Sequence, residues 1–358
     1  MFDVDFNKTD PQIICHSQYQ ELVPLILKGL DSYNLKDHFI LFSSGTTGGV
    51  KGYAVSKDAL FANAKASNDH FKMSSSDVWA LSLPVYHIGG LSVMARAHLL
   101  GNKIIDARHW NPDTWSDLIK DATITTIVPT QLYDLVQRKI SAPKNLKYII
   151  VGGDFLSTKL KEEAMKLGWP VIRTFGMSEV CSQLASAKKP ENDEIELFPI
   201  HQIKIGEENR LLVKSEALFT LQFILTDKLH VTMAQDLCDE ESFYKTSDRA
   251  EYTSGHFKHL GRLGDEFKIA GHLVNLLQLK NTLATFLIEK DLFGQMEFQI
   301  EDDERKGKKL VLLALSESNK APLFERIQSL IAPVRIDEFR IVSSFERTAL
   351  GKLKNSHH

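Results

Sequence analysis

Ser43-Ser44-Gly45-Thr46-Thr47-Gly48-Gly49-Val50-Lys51-Gly52 follows the apolar run Phe39-Ile40-Leu41-Phe42. These ten residues hold four hydroxyls, four glycines and one lysine. Glycines let backbone N–H groups approach an anion closely, hydroxyls donate to its oxygens, and the lysine adds a mobile positive charge. The stretch reads as a phosphate-gripping loop. The run before it reads as a buried strand, and Tyr53 to Phe71 after it reads as a helix. No Gly-Lys-Ser/Thr closes the loop, so it is not a Walker A motif, and it lacks GxGxxG spacing.

Outward from the loop, strands and helices alternate. Trp79 to Leu83, Lys103 to Ile105, Thr123 to Val128, Lys147 to Val151 and Val171 to Thr174 read as strands. Between them, Leu91 to Leu99, Thr114 to Asp121, Gln131 to Lys139 and Thr158 to Leu167 read as helices, the last capped by Ser157 and closed by Gly168. This pattern predicts an α/β fold whose mostly parallel sheet is covered by helices. Ligands in such sheets sit beyond the carboxyl ends of the strands. The opening loop, the His87 stretch, Gly152-Gly153-Asp154 and Phe175-Gly176-Met177-Ser178-Glu179 all follow strands, so all four are expected to face one crevice. Residues 195–260 change to short alternating runs, an antiparallel subdomain. From about 265 onward the pattern is a small α+β unit. The expected division is 1–262 and 263–358.

The 358 residues suffice for two domains with real cores. A net charge of −3 makes no electrostatic case for nucleic acid or an anionic membrane. Cys15, Cys181 and Cys238 are far apart and without CxxC spacing, which suggests neither zinc nor a disulfide framework. No apolar run approaches membrane-spanning length and Met1-Phe2-Asp3-Val4-Asp5 starts no signal peptide, so a cytoplasmic protein is expected.

Several side chains are candidates for chemistry. Glu179 suits Mg²⁺ on a polyphosphate, because that ion takes one or two carboxylates plus phosphates and waters. A helix N-cap followed by an early Glu fits the same spacing. Asp248 reads as a ribose-binding carboxylate or a turn residue, and Arg262 as a phosphate contact or a surface ion pair. His87 reads as a pocket group or a packed histidine. Arg96 stands alone on an apolar helix, where an Arg snorkels or pairs. There is no GxSxG elbow and no cysteine in a motif with a histidine and an acid, so no covalent enzyme intermediate is expected.

Taken in order, the motifs resemble the adenylate-forming (acyl-CoA synthetase/luciferase) superfamily. Phe42 to Gly52 resembles its signature loop, Phe175 to Glu179 its Tyr-Gly-Met-Thr-Glu, and Tyr244-Lys245-Thr246-Ser247-Asp248 its Tyr-x-Thr-Gly-Asp. Gly261 to Gly271 resembles the hinge motif, with Gly264 at the pivot, and Arg347-Thr348-Ala349-Leu350-Gly351-Lys352 the final Arg-Thr-x-x-Gly-Lys. The resemblance implies ATP, Mg²⁺ and coenzyme A. It places Ser43, Ser44, Gly45, Thr46, Thr47, Gly48 and Lys51 on the β- and γ-phosphates. Gly153, Phe175, Gly176, Ser178 and Arg262 would lie on the rest of the nucleotide, Asp248 on the ribose and Glu179 on the metal. Lys352, on a small mobile C-terminal domain turning at Gly264, would stabilise charge on the α-phosphate.

Within the superfamily, Leu83 to Leu91, Arg96 and Gly176 to Gln183 resemble the o-succinylbenzoate–CoA ligases of menaquinone biosynthesis. That implies a small aromatic or acyl carboxylate held by His87, Arg96 and Ser182, with His87 also near the chemistry. The oligomeric state stays open, a homodimer included. Only 41 residues precede Phe42, so the first domain is expected to be shortened at its N-terminus. Two other readings remain: a different aryl or acyl adenylating ligase, and a degenerate nucleotide-binding homologue without turnover.

Overall fold

The computed structural model describes residues 4–43, 50–253, 255–269, 272–292, 294–303, 307–315 and 320–345. The predicted strand–helix alternation is present. β1 (Gln12–Ile14), α1 (Val23–Leu30), β2 (His38–Ser43) and β3 (Val50–Ser56) come first, followed by α2 (Lys57–His70). Next come β4 (Val78–Leu81), α3 (Ile88–Leu100), β5 (Lys103–Asp106), α4 (Pro112–Leu118) and β6 (Ile124–Ile127). Then follow α5 (Pro129–Gln137), β7 (Tyr148–Val151), α6 (Thr158–Lys166) and β8 (Val171–Met177). Strands β5-β4-β6-β7-β8 lie side by side and parallel. Ser157 caps α6 by accepting from the Leu160 N–H at 3.1 Å. Gly101 and Gly168, just past α3 and α6, take positive φ as helix-ending glycines do.

After β8 the sheet changes character. β9 (Ser182–Ser186) turns back antiparallel on β8, and β10 (Ile195–Leu197) follows it. β11 (His201–Ile205) and β12 (Arg210–Ser215) form a hairpin within the predicted antiparallel region. β15 (Tyr244–Thr253) and β16 (His256–Arg262) complete a sheet of eleven strands. The antiparallel region therefore extends the parallel sheet.

Two expectations are corrected. Tyr53 to Phe71 is not all helix, because Val50–Ser56 is a strand antiparallel to β2, pairing Leu41 with Tyr53. Val50, Tyr53 and Val55 favour a pleated strand, and the helix begins only where the Ser56 hydroxyl accepts from the Ala59 N–H. The strands either side of residues 44–49 are thus hairpin neighbours rather than a strand and a helix. β13 (Leu221–Leu225) pairs with β3, and β14 (Leu229–Met233) with β13, which closes a separate five-stranded sheet with β1 and β2. The second correction follows: the opening segment issues from this second sheet, and only the other three follow strands of the parallel one.

Helix α2 bridges the sheets. Its Asn63 amide donates to the carbonyls of Val180 at 2.9 Å and Gln183 at 2.7 Å. One turn on, the Ser67 hydroxyl donates to Gln183 Oε1 at 2.7 Å, and Gln183 Nε2 donates to Thr174 at 3.0 Å. Asn63 Oδ1 is left without a partner, but the four hydrogen bonds tie α2 to both strands and so fix the register of β8 and β9.

Beyond β16 lie the hairpin β17 (Glu266–Ile269) and β18 (His272–Asn275), then α7 (Leu276–Glu289). β19 (Met296–Asp303), β20 (Gly307–Ala314), α8 (Lys320–Leu330) and β21 (Glu338–Ile341) follow. They share their own core of Leu283, Phe298, Leu310, Leu312 and Ile327. Ile288 departs from it: this α7 residue packs into the cluster of Trp115, Leu160 and Trp169 beneath the parallel sheet. Among the described residues, no helix is long and apolar enough to cross a membrane.

Asn63→Ala removes the side-chain donor of the Val180 carbonyl and one of the two on the Gln183 carbonyl, which keeps His201 Nε2 at 3.1 Å. Stability is expected to fall by about 1–3 kcal/mol, read from the urea midpoint. An unchanged midpoint would show that α2 does not hold the β8–β9 register.

Candidate active site

Strand β3 carries Lys51 and Tyr53, whose spacing of two puts them on one face. The Tyr53 hydroxyl donates to Glu179 Oε1 at 2.7 Å, and Lys51 Nζ lies 4.9 Å from the centre of the Tyr53 ring. Burial lowers the Lys51 pKa; Glu179 pulls it back up and Arg262 pushes it further down. Glu179 stands in a 3-10 turn, Ser178–Val180, directly after β8. The residue at the cap is Met177 and the turn closes at once on Cys181, at φ 58°, so the helix-cap alternative for Ser178-Glu179 is not realised. The Phe219 N–H donates to the Glu179 carbonyl at 3.0 Å. The Phe219 ring meets those of Tyr53 and Tyr244 edge-on at 5.3 and 5.1 Å.

Asp248 and Arg262 face each other across β15 and β16. His259 Nε2 lies 2.9 Å from Asp248 Oδ1, and Arg262 Nε lies 3.5 Å from the same oxygen. Three residues apart, His259 and Arg262 would point to opposite faces of a regular strand. A bulge lets both reach Asp248: the register slips one residue between Arg249 and Ala250, and Gly261 takes φ +105°. Asp248 is 5% exposed. Burial pushes its pKa up, but His259 and Arg262 outweigh burial and hold it below the usual carboxylate range. Among the described residues, no protein donor engages its Oδ2. The Phe175 ring packs against that of His259, tilted by 32° with centroids 4.6 Å apart. Gly264, at φ +89°, makes the turn from β16 to β17. Ser247, where the family has glycine, sits inside the continuous strand β15, which needs no glycine there. Lys51, Glu179, Tyr244, Lys245, Ser247 and Arg210 line an open pocket of about 370 Å³.

A second cluster lies where β9 begins. A Cβ on Gly176 would meet the Ser182 carbonyl oxygen at 1.9 Å, so only glycine lets β8 and β9 approach. Ser182 itself takes φ 120°. Its hydroxyl lies 3.2 Å from that of Ser92 and 3.4 Å from Arg96 Nη2. Arg96 is 1% exposed and lies 5.7 Å from the Trp79 ring. Its Nε is buried without a hydrogen-bond partner, and among the described residues no carboxylate pairs with it. Burial pushes its pKa down to about 9, so it still carries its charge at neutral pH. Within the described residues the guanidinium thus meets one hydroxyl, that of Ser182, and the Trp79 indole. His87 starts α3 with its ring 4.7 Å from that of Tyr86. Cys181 is fully buried, which pushes its thiol pKa up and leaves it no nucleophile at neutral pH.

The structure thus brings Lys51, Glu179, Arg262 and Asp248 close enough to feel one another's charge, with Lys51 and Glu179 on the pocket wall and Phe175 reached through His259, while Arg96 and Ser182 form their own cluster at the start of β9. Gly153, at φ +83°, follows β7. Ser44 to Gly48 and Lys352 lie outside the described residues, and Ser43 is described only as the last residue of β2. Sequence reasoning missed Tyr53 and His259; the i+2 spacing of Tyr53 from Lys51 was the signal for the first. Glu179 fits Mg²⁺. It is one partly buried carboxylate on a polar wall beside Lys51. Mg²⁺ takes one or two carboxylates and fills its other positions with phosphate and water.

Comparison with known proteins bears on the site. Residues 33–209 match the AMP-binding enzyme family. The chain is 27% identical over 393 residues to a 2-succinylbenzoate–CoA ligase of Staphylococcus epidermidis, covering 97% of this chain and 78% of that protein. Among solved structures it resembles O-succinylbenzoate Coenzyme A Synthetase from Bacillus subtilis in complex with ATP and magnesium ion. The TM-score is 0.76 at 20% identity, covering 89% of this chain and 69% of that one. It also resembles wild-type MenE from E. coli with a bound analogue of OSB-AMS, at TM-score 0.62 and 21% identity, with 85% of this chain and 65% of that one covered. The two structural likenesses are of fold.

Because Arg96 holds an unpaired charge in the core, Arg96→Met is expected to keep or raise the urea midpoint of the ligand-free protein. A loss of more than about 1 kcal/mol would show that the fold itself uses the charge.

Proposed function

The chain carries an AMP-binding enzyme domain at residues 33–209, and on that footing we propose that it is an AMP-forming acid–CoA ligase acting on o-succinylbenzoate. In the first step a carboxylate oxygen of the acid attacks the α-phosphorus of ATP. The bond to the bridging oxygen breaks, and pyrophosphate leaves with that electron pair. In the second step the thiol of coenzyme A attacks the acyl carbon and loses its proton, and AMP departs as the thioester forms.

The residues divide this work by position. Lys51, with the donors Ser43 to Gly48, grips the β- and γ-phosphates, the part that leaves. Mg²⁺ held at Glu179 would neutralise charge on the same phosphates. Asp248 keeps Oδ2 for the ribose hydroxyls while His259 and Arg262 occupy Oδ1. Phe175, Gly153, Gly176 and Ser178 border the nucleotide. Residues 263 onward form the mobile domain, turning at Gly264 and delivering Lys352 to the α-phosphate, where a fixed positive charge stabilises the developing negative one.

The observation that carries the substrate assignment is Arg96. The acid has two carboxylates, so one is activated while Arg96 and Ser182 hold the other, with His87 at the pocket wall. The charge of Arg96 is buried and lacks a carboxylate partner among the described residues, as a site for a second carboxylate requires. On this reading the enzyme serves menaquinone biosynthesis and works in the cytoplasm.

Labelled pyrophosphate is expected to exchange into ATP when o-succinylbenzoate is present, with thioester appearing on addition of coenzyme A. Exchange without thioester would move the protein to another class of adenylating enzyme. ATP binding with no exchange for any aryl or fatty acid would make it a binding protein without turnover. Lys352→Ala is expected to abolish exchange while ATP still binds by calorimetry. Wild-type exchange in that variant would remove Lys352 from the mechanism.

A further inference from the structure

Tyr53 lies between the two charges that the proposed function assigns to phosphate and metal. It is 3% exposed, in a strand paired on both sides, with Leu41 opposite it on β2 and Gln222 on β13. The backbone under it therefore has little freedom. A phenol hydroxyl buried in a core costs free energy unless it finds a partner, and phenylalanine would fill the same space without that cost. Here the hydroxyl donates to Glu179 Oε1 at 2.7 Å. The ring serves twice more: Lys51 Nζ lies 4.9 Å from its centre, and the edge of Phe219 meets it at 5.3 Å. Phe219 in turn donates its N–H to the Glu179 carbonyl. The side chain of Glu179 is thus referenced to Tyr53, and its backbone to the ring packed on Tyr53.

We propose that Tyr53 is a positioning residue for both charges of the pocket, its hydroxyl orienting the Glu179 carboxylate for the metal and its ring seating Lys51 for the phosphates. The donor occupies one carboxylate oxygen and leaves the other for a cation, the arrangement that hydrogen-bonded metal ligands share. The inference rests on the metal role proposed for Glu179.

The test is calorimetric ATP binding to the full chain, titrated over Mg²⁺ and repeated in EDTA, for the wild type, Tyr53→Phe and Tyr53→Leu. Tyr53→Phe removes the hydroxyl alone. It is expected to raise the half-saturating Mg²⁺ concentration about tenfold and to leave metal-free ATP binding unchanged. Tyr53→Leu also removes the ring, and is expected to weaken metal-free binding about two- to fivefold through Lys51. Wild-type Mg²⁺ dependence in Tyr53→Phe would overturn the inference while leaving the metal role of Glu179 standing. Equal weakening with and without Mg²⁺ would overturn it too, because that is the mark of a merely structural residue. Metal-free binding in Tyr53→Leu equal to that of the wild type would remove the Lys51 half. A wild type whose ATP binding ignores Mg²⁺ would overturn the metal role of Glu179, and this inference with it.

Discussion

The missing side chain of Gly176 is the constraint on which the site depends. Any Cβ there would meet the Ser182 carbonyl at 1.9 Å, so β8 and β9 close into contact only because that atom is absent. Here the sheet stops being parallel and turns back on itself. The tight return fixes Glu179 on one side, within reach of Tyr53, and Ser182 on the other, within reach of Arg96. One backbone contact thereby sets the distance between the Glu179–Tyr53 pair and the Ser182–Arg96 pair.

The energetics of the two pockets differ in kind. Asp248 is buried but answered from within, by His259 and Arg262 across a bulged strand pair. Arg96 is buried and, among the described residues, answered only by a serine hydroxyl and an indole. A charge that the fold has not neutralised weakens the protein that holds it. Asp248 has opposite charge beside it; among the described residues Arg96 has none.

Much of this was legible in the chain. The βα alternation from Trp79 to Thr174 shows because each element has its own period and its own punctuation, Ser157 and Gly168 among them. Val50 to Ser56 was hidden, because it runs directly into an amphipathic helix and its partner β13 is remote in sequence. Local pattern cannot reveal such a pairing. The residue types of the site were readable as donors and carboxylates. Their convergence was not, since His259 reaches Asp248 only through a one-residue slip in register, which moves side chains between faces and leaves no mark in composition. Tyr53 escaped notice for the same reason: its meaning depends on its being in a strand.

Ile288 adds a point about populations. It belongs by sequence to the small C-terminal unit, yet its side chain lies in the core beneath the parallel sheet. Any arrangement that lifts α7 from that core must return the side chain to water, at a cost of about 1.5–3 kcal/mol. That amount corresponds to a bias of roughly ten- to a hundredfold between docked and undocked forms. A single methyl group added or removed at that position would reset how often the unit is found in each, with no change to any residue that touches a substrate.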